Sequence, residues 1–151
     1  MTDKSAENSF ELLCLPLDGA YYGFPLDVIT ETLQRVQITP FPCLPPHYCG
    51  VCNRKGSILP VVSLRRMTGG AQAADEGHPV TVIVKCGAYE CGFLTETQPV
   101  LLTVSPDRLV REAADELSGP LCVVDAVYAT DSGVVLAVDA AATLERLVVN
   151  R

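Results

Sequence analysis

The amino-acid sequence predicts a mostly β protein made of two similar small β-barrel units with short helices, and three observations carry that prediction. Apolar runs such as VVLAV are strand-sized and are punctuated by glycine turns. The chain echoes itself on either side of one polar break. Many short strands at this spacing favour barrels over sandwiches, because closure removes exposed strand edges within little chain.

The elements follow in order. Residues 1–9 form a polar lead-in. FELLCLPL and AYYGFPL flank the turn Asp18-Gly19 as a hairpin. VITETLQRVQIT fits a helical turn or a bent strand equally well, and the proline-rich PFPCLPP at 40–46 reads as a rigid loop. GVCN and SILPVVSL make a second hairpin around Arg54-Lys55-Gly56. The Gly/Ala-rich stretch 68–79 separates this half from VTVIVKC, YECGFLTET and VLLTV. SPDRLVREAADELS opens with helix-start residues and reads as a helix or loop. LCVVDAVYA and VVLAVDA pair around Asp131-Ser132-Gly133, and a short helix over about 140–148 places Leu144, Leu147 and Val148 on one face.

Three echoes run in the same order across the break. GAYYGF at 19–24 answers GAYECGF at 87–93, TET at 30–32 answers TET at 95–97, and GSILPV at 56–61 answers GVVLAV at 133–138. They imply two repeated units. The expected division is a first barrel over 10–68, a linker over 69–79, and a second barrel with the terminal helix over 80–151.

Composition narrows the function. A net charge of −7 without a long Lys/Arg run argues against nucleic-acid binding, since a phosphate backbone would repel the chain. A polar, acidic start does not read as a secretory signal, and no apolar run reaches the ~20 residues needed to cross a bilayer. The expectation is a cytoplasmic protein with no direct membrane insertion. With 48% hydrophobic residues, either the core is large or apolar surface is left for partners.

Catalytic and cofactor motifs do not stand out. The histidines His47 and His78 lie beside prolines and in the linker, away from a recognisable nucleophile setting, and neither G-x-S-x-G nor a phosphate-binding G-x-x-x-x-G-K-[ST] occurs. Single acids such as Glu31 and Asp139 require no catalytic role. The pair Cys49/Cys52 has C-x-x-C spacing, but a redox dithiol belongs at a helix start. On a strand at ~3.3 Å per residue the two would stand ~10 Å apart on opposite faces, beyond the ~7 Å reach of a disulfide. A zinc site completed by Cys86 and Cys91 meets the same misalignment. Buried reduced thiols are the better reading, with no metal and no cofactor; a thiol- or zinc-sensing module is the rival.

The residues around those cysteines carry a family pattern. Gly50-Val51-x-Asn53-x-Lys55-Gly56-x-Ile58-x-Pro60-Val61-Val62-x-Leu64 resembles the CheW signature G-V-x-N-L-R-G-x-I-x-P-V-x-[DN]-L. Ile38-Thr39-Pro40-Phe41-Pro42 is similar to its I-T-x-V-P, Ile29-Thr30-Glu31 to its V-x-E, and Gly92-Phe93-Leu94-Thr95-Glu96 to its second-half G-[FL]-[LV]-V-D. The resemblance spans residues 10–148. It implies two five-stranded barrels and a non-enzymatic adaptor. Its implied partners are a CheA-type histidine kinase, met edge to edge through a regulatory domain of the same fold, and the helical tip of a chemoreceptor in the groove between barrels.

Residue by residue, the resemblance implies that Glu31 and Lys55 are partner-facing charges able to pair, and that Asn53 and Gly56 build the turn. Leu13, Leu26 and Ile29 match apolar positions of the receptor groove, whose plain alternative is barrel core. Departures accompany these matches. Lys55 stands for arginine and loses its bidentate fork, Arg54 takes a leucine position, Ser63 stands for Asp/Asn, and Gln98 replaces an apolar residue bordering the groove. Kinase coupling survives these departures better than receptor recognition, which fits a divergent adaptor. A pure interaction module without a kinase partner is the further alternative.

Overall fold

A computed structural model describes residues 9–17, 19–40, 42–43, 45–67, 80–95, 97–112 and 122–149. Residues 1–8 of the expected lead-in over 1–9, and the linker over 69–79, lie outside these residues, as do His78 and Val148's side chain.

Eleven strands and two helices are described: β1 Phe10–Leu17, β2 Ala20–Pro25, β3 Ile29–Gln34, β4 Tyr48–Arg54, β5 Ser57–Ser63, α1 Leu64–Met67, β6 Val80–Cys86, β7 Tyr89–Thr95, β8 Val100–Val104, β9 Leu109–Glu112, β10 Val124–Thr130, β11 Gly133–Val138 and α2 Ala140–Val149. The ambiguous VITETLQRVQIT resolves as a 3-10 turn at Leu26–Val28 followed by β3. Of the expected helix or loop at SPDRLVREAADELS, the described part is a 3-10 turn and a strand, and residues 113–118 lie outside the described residues. Ser105 Oγ accepts the Asp107 N–H, a genuine cap, but only three residues turn before β9 begins.

The strands form two sheets, ordered β8-β1-β2-β11-β10-β9 and β3-β6-β7-β5-β4. One sheet therefore carries six strands where five were expected. The sheets also do not divide the chain at the linker. Each half's opening hairpin, β1–β2 or β6–β7, sits in the sheet formed by the other half's later strands. Parallel pairing of β2 with β11 and of β5 with β7 makes the joins. The exchange ties the halves through backbone ladders as well as side-chain packing.

The repeat is nevertheless real. Substituting β8 for β3, β1 for β6, β2 for β7, β11 for β5 and β10 for β4 converts one sheet order into the other, leaving β9 over. Gly23-Phe24 and Gly92-Phe93 occupy equivalent places, and the two buried rings meet at 5.2 Å between centroids. The TET echo does not follow the repeat, because Thr30-Glu31-Thr32 lies inside β3 whereas Thr95 ends β7.

Alternation along the strands feeds four buried clusters, the smallest of them Val124, Val127 and Leu136. Leu12, Cys14, Val104 and Val135 fill the first barrel, and Cys52, Leu59, Val61 and Ile83 the second. A larger cluster joins the barrels, from Leu15 and Phe24 through Val82 and Phe93 to Leu144 and Leu147. Helix α2 is started by Asp139, whose carboxylate accepts the Ala142 N–H at 3.0 Å. Tyr48 Oη donates to the Leu147 carbonyl at 3.1 Å and ties α2 to β4.

Candidate partner-binding site

The β4–β5 hairpin closes through the pair Arg54–Ser57, leaving Lys55 and Gly56 as a two-residue turn. Both have positive φ, 51° and 88°, as a type I′ turn requires. Asn53 Oδ1 accepts the Gly56 N–H at 2.9 Å and holds the turn. Lys55 is thereby displayed in solvent at the hairpin tip.

Strands β3 and β4 are the two edges of the second sheet, and the segment that follows β3 bridges to β4. Thr39 and Val51 exchange backbone hydrogen bonds of 2.8 and 2.9 Å across this seam. Gly50 has φ 144°, and a Cβ there would stand 2.2 Å from the Thr39 carbonyl oxygen, so the close approach requires glycine. Further along the seam, Arg54 of β4 donates through Nε to Glu31 of β3 and through Nη1 to Glu90 of β7, the latter at 3.1 Å. The charge-assisted bond from Arg54, with lesser help from its charge and that of Lys55, holds the Glu31 carboxyl below its ordinary range. Arg54 rises for the same reason.

Leu13 and Ile29 pack half-buried on the central cluster, while Leu26 is 44% exposed at the start of its 3-10 turn. Leu101 of the edge strand β8 lies directly opposite Leu13 and is 52% exposed, extending this apolar surface. Gln98 accepts a hydrogen bond from Gln34 Nε2 at 3.2 Å, so its polar group in this region has a partner within the chain.

Residues 11–148 match the CheW-like domain family model. The chain belongs to the CheW-like domain family. It is 30% identical over 109 residues to the chemotaxis protein CheW of Thermotoga maritima, covering 72% of this chain and 71% of that protein. It is 26% identical over 87 residues to the protein FrzA of Myxococcus xanthus, 58% of this chain and 54% of that one. The fold resembles the crystal structure of the scaffolding protein TtCheW from Thermoanaerobacter tengcongensis, with a TM-score of 0.75 at 18% identity over 86% of this chain and 88% of that one.

Within this CheW-like frame the signature charges are arranged differently from the pairing that Lys55 was expected to make. Arg54 bonds Glu31, and Lys55 makes no ion pair among the described residues. A one-residue step along a strand reverses the side-chain direction, so the arginine stands on the barrel wall and the lysine on the tip. Glu90 was missed because it lies 36 residues away in sequence; its only signal was its place in the middle of the GAYECGF echo. Ser63 is buried, and its Oγ accepts the Arg66 N–H at 3.3 Å at the start of α1.

Cys14, Cys52, Cys91 and Cys122 are buried like small apolar residues, Cys49 and Cys86 are half-buried, and Cys43 is exposed. Strict alternation placed Cys49 and Cys52 on opposite faces, but the ladder shifts between Tyr48 and Gly50, and both cysteines border the second barrel's core. Burial pushes the Cys52 thiol up, opposite to the shift a reactive thiolate needs. The seven cysteines form no disulfide with one another, and among the described residues no three His, Cys, Asp or Glu side chains gather as a metal site. His47 is buried with its ring against Tyr48, and desolvation pulls its pKa down, favouring neutral imidazole. No helix among the described residues is long and apolar enough to cross a membrane.

Proposed function

We propose that this CheW-like chain is a non-enzymatic cytoplasmic adaptor that couples a chemoreceptor's cytoplasmic tip to a CheA-type histidine kinase through the kinase's regulatory domain. The reading rests on the family and on the chemotaxis protein and scaffolding protein it resembles. The observation that carries it is the β4–β5 corner. Arg54 is consumed within the barrel, clamping the hairpin to Glu31 and Glu90, while Lys55 and the neighbouring Ile58 face solvent. A scaffold needs this combination: a rigid mount and unspent charge and apolar surface.

The role assigned to each part follows. Lys55 supplies a cation to the kinase face, Arg54 and Glu31 position the hairpin, and Asn53 with Gly56 shape the turn. Leu13, Leu26, Ile29 and Leu101 offer apolar surface to the receptor tip, with Gln98 and Gln34 at its polar margin. Individual contacts are weak and gain strength when many adaptors act together in an array.

Titration calorimetry of the reduced protein against the cognate regulatory domain tests the reading. It predicts a complex in the micromolar range, weakened about tenfold by Lys55→Ala and also by Glu31→Ala, which frees the Arg54 clamp. No heat of binding at ~100 μM would sink the kinase coupling.

A further inference from the structure

The turn Pro45–Tyr48 lies at the joint between the barrels. The Tyr48 N–H donates to the Pro45 carbonyl at 3.0 Å, which puts Pro46 and His47 at the two corners of a β-turn. The His47 carbonyl accepts the Ser63 N–H at 2.9 Å and fastens the turn to the end of β5. The carbonyls on either side of it, those of Pro46 and Tyr48, accept Nη1 of Arg66 at 3.2 and 3.4 Å and fasten it to α1. Tyr48 in turn donates to the Leu147 carbonyl of α2. Strands β4 and β5 and helices α1 and α2 are therefore tied together within two residues of His47.

His47 itself is 8% exposed, with its ring centroid 4.6 Å from that of Tyr48. Its Nε2 is buried and has no hydrogen-bond partner among the described residues. A neutral imidazole tolerates one unmet nitrogen. An imidazolium does not, because both nitrogens become donors and the charge has to be solvated or paired. The elements that meet here place no carboxylate on Nε2. Strand β4 carries Tyr48, Cys49, Cys52 and Arg54, β5 carries no titratable side chain, and α1 carries Arg65 and Arg66. Arg54 is bound to Glu31 and Glu90. Helix α2, reached through Tyr48, carries Glu145 and Arg146, both exposed.

The other half of the repeat builds the same joint without a histidine. There the Asp139 N–H donates to the Val123 carbonyl at 2.9 Å, as Ser63 does to His47. The Asp139 side chain starts α2 as the Ser63 side chain starts α1. Val123 therefore holds the place of His47. The backbone of the joint forms around an apolar side chain, so the fold does not require a buried imidazole at this position.

We propose that His47 is a proton-operated catch on the joint between the barrels: neutral, its ring seats against Tyr48 and the joint is closed; protonated, it leaves that seat, and the turn, Tyr48 and the adjoining end of α2 loosen together. Burial pulls the His47 pKa down, so the closed joint binds fewer protons than the opened one. The stabilisation is complete above the ordinary histidine value of about 6.5. It is lost as pH falls through that value towards the lower folded one. The catch stands independently of the coupling reading.

The imidazole C–H resonances and regional amide exchange test this on the whole protein. His47 and His78 are the two histidines of the chain, and His78→Gln assigns their signals. The His47 imidazole is expected to titrate below the ordinary value. Amide exchange, corrected for its intrinsic pH dependence, is compared at about pH 7.5 and about pH 5.5. In wild type and His78→Gln, the opening of the 45–52 segment and of α2 is expected to rise about five- to tenfold on acidification, with the β10–β11 hairpin unchanged. His47→Phe, which keeps a ring, and His47→Val, which copies the other half, are expected to remove that rise. An equal rise in His47→Phe, a rise of the same size in every element, or a His47 imidazole that titrates at or above the ordinary value would overturn the catch. If neither variant folds, the imidazole titration and the regional profile of wild type decide it by the same criteria.

Discussion

The two barrels repeat one strand order, yet their seams are closed by different means. In the first, the chain leaving β8 turns at Pro106–Arg108 and runs on as β9, a strand of four residues paired to β10. In the second, the chain leaving β3 makes one backbone bridge to β4 among the described residues, Thr39 to Val51, and side chains complete the seam. Each seam also carries an ion pair near an equivalent hairpin. Arg108–Asp131 in the first is exposed, with Asp131 at 99%, whereas Arg54 and Glu31 in the second stand at 20% and 29% and recruit Glu90. The lesson is that a seam closed by backbone leaves its surface chemically indifferent. A seam closed by side chains ties particular charges to the hairpin that carries the CheW signature.

That contrast can be broken at several points. The largest effect is expected where the barrels share structure. Phe24→Ala and Phe93→Ala, at equivalent buried positions, should each cost about 3–5 kcal/mol in urea denaturation. The double variant should cost less than the sum, because the rings touch. Widely unequal single costs, or strict additivity, would weaken the claim of a shared centre.

Gly50→Ala comes next. It forces a Cβ against the Thr39 carbonyl and should cost about 1–3 kcal/mol. Ala126 holds the matching place in β10, paired with β9, and Ala126→Gly should cost only about 0.5–1 kcal/mol. Reversal of that order would mean that the Thr39 bridge does not close the second barrel.

Arg54→Met should destabilise at neutral pH, because it leaves Glu31 and Glu90 without their shared cation, and its deficit should shrink on acidification. The sign follows from the lowered Glu31 pKa. The stabilisation is present above the ordinary carboxylate value of about 4.3 and is lost as pH falls through the lower folded value. Urea midpoints of wild type and variant should therefore converge at low pH. The smallest effect belongs to Arg108→Met, whose exposed pair should leave the midpoint unchanged within error at any pH.

How much of this was legible in the sequence depended on how local the signal was. Hairpins announced themselves through turn residues, and α2 through the spacing of Leu144 and Leu147; its cap, Asp139, was not singled out as one. The repeat was legible as similarity, but similarity does not say which copy a strand pairs with, so the exchange of opening hairpins was not. Ser105-Pro106-Asp107 signalled a helix start truthfully and the length of the helix wrongly, since the extended backbone from Leu109 takes over for pairing with β10. Within the candidate site, the turn geometry of Asn53 and Gly56 was readable. The choice of Arg54 over Lys55 as the clamp was not, because it turns on which distant strands, β3 and β7, a side chain meets. The Cys49 bulge defeated alternation for the same reason: one extra residue in a ladder reverses everything before it.

The account's central claim is physical coupling, and co-sedimentation measures it most directly. Membranes bearing the cognate chemoreceptor would be mixed with the full-length kinase, with and without this protein, and the pelleted kinase measured. The account predicts that kinase recovery rises with added adaptor and falls back when Lys55→Ala replaces wild type. Recovery that is the same with and without the adaptor, while the adaptor itself pellets with the receptor, would contradict it.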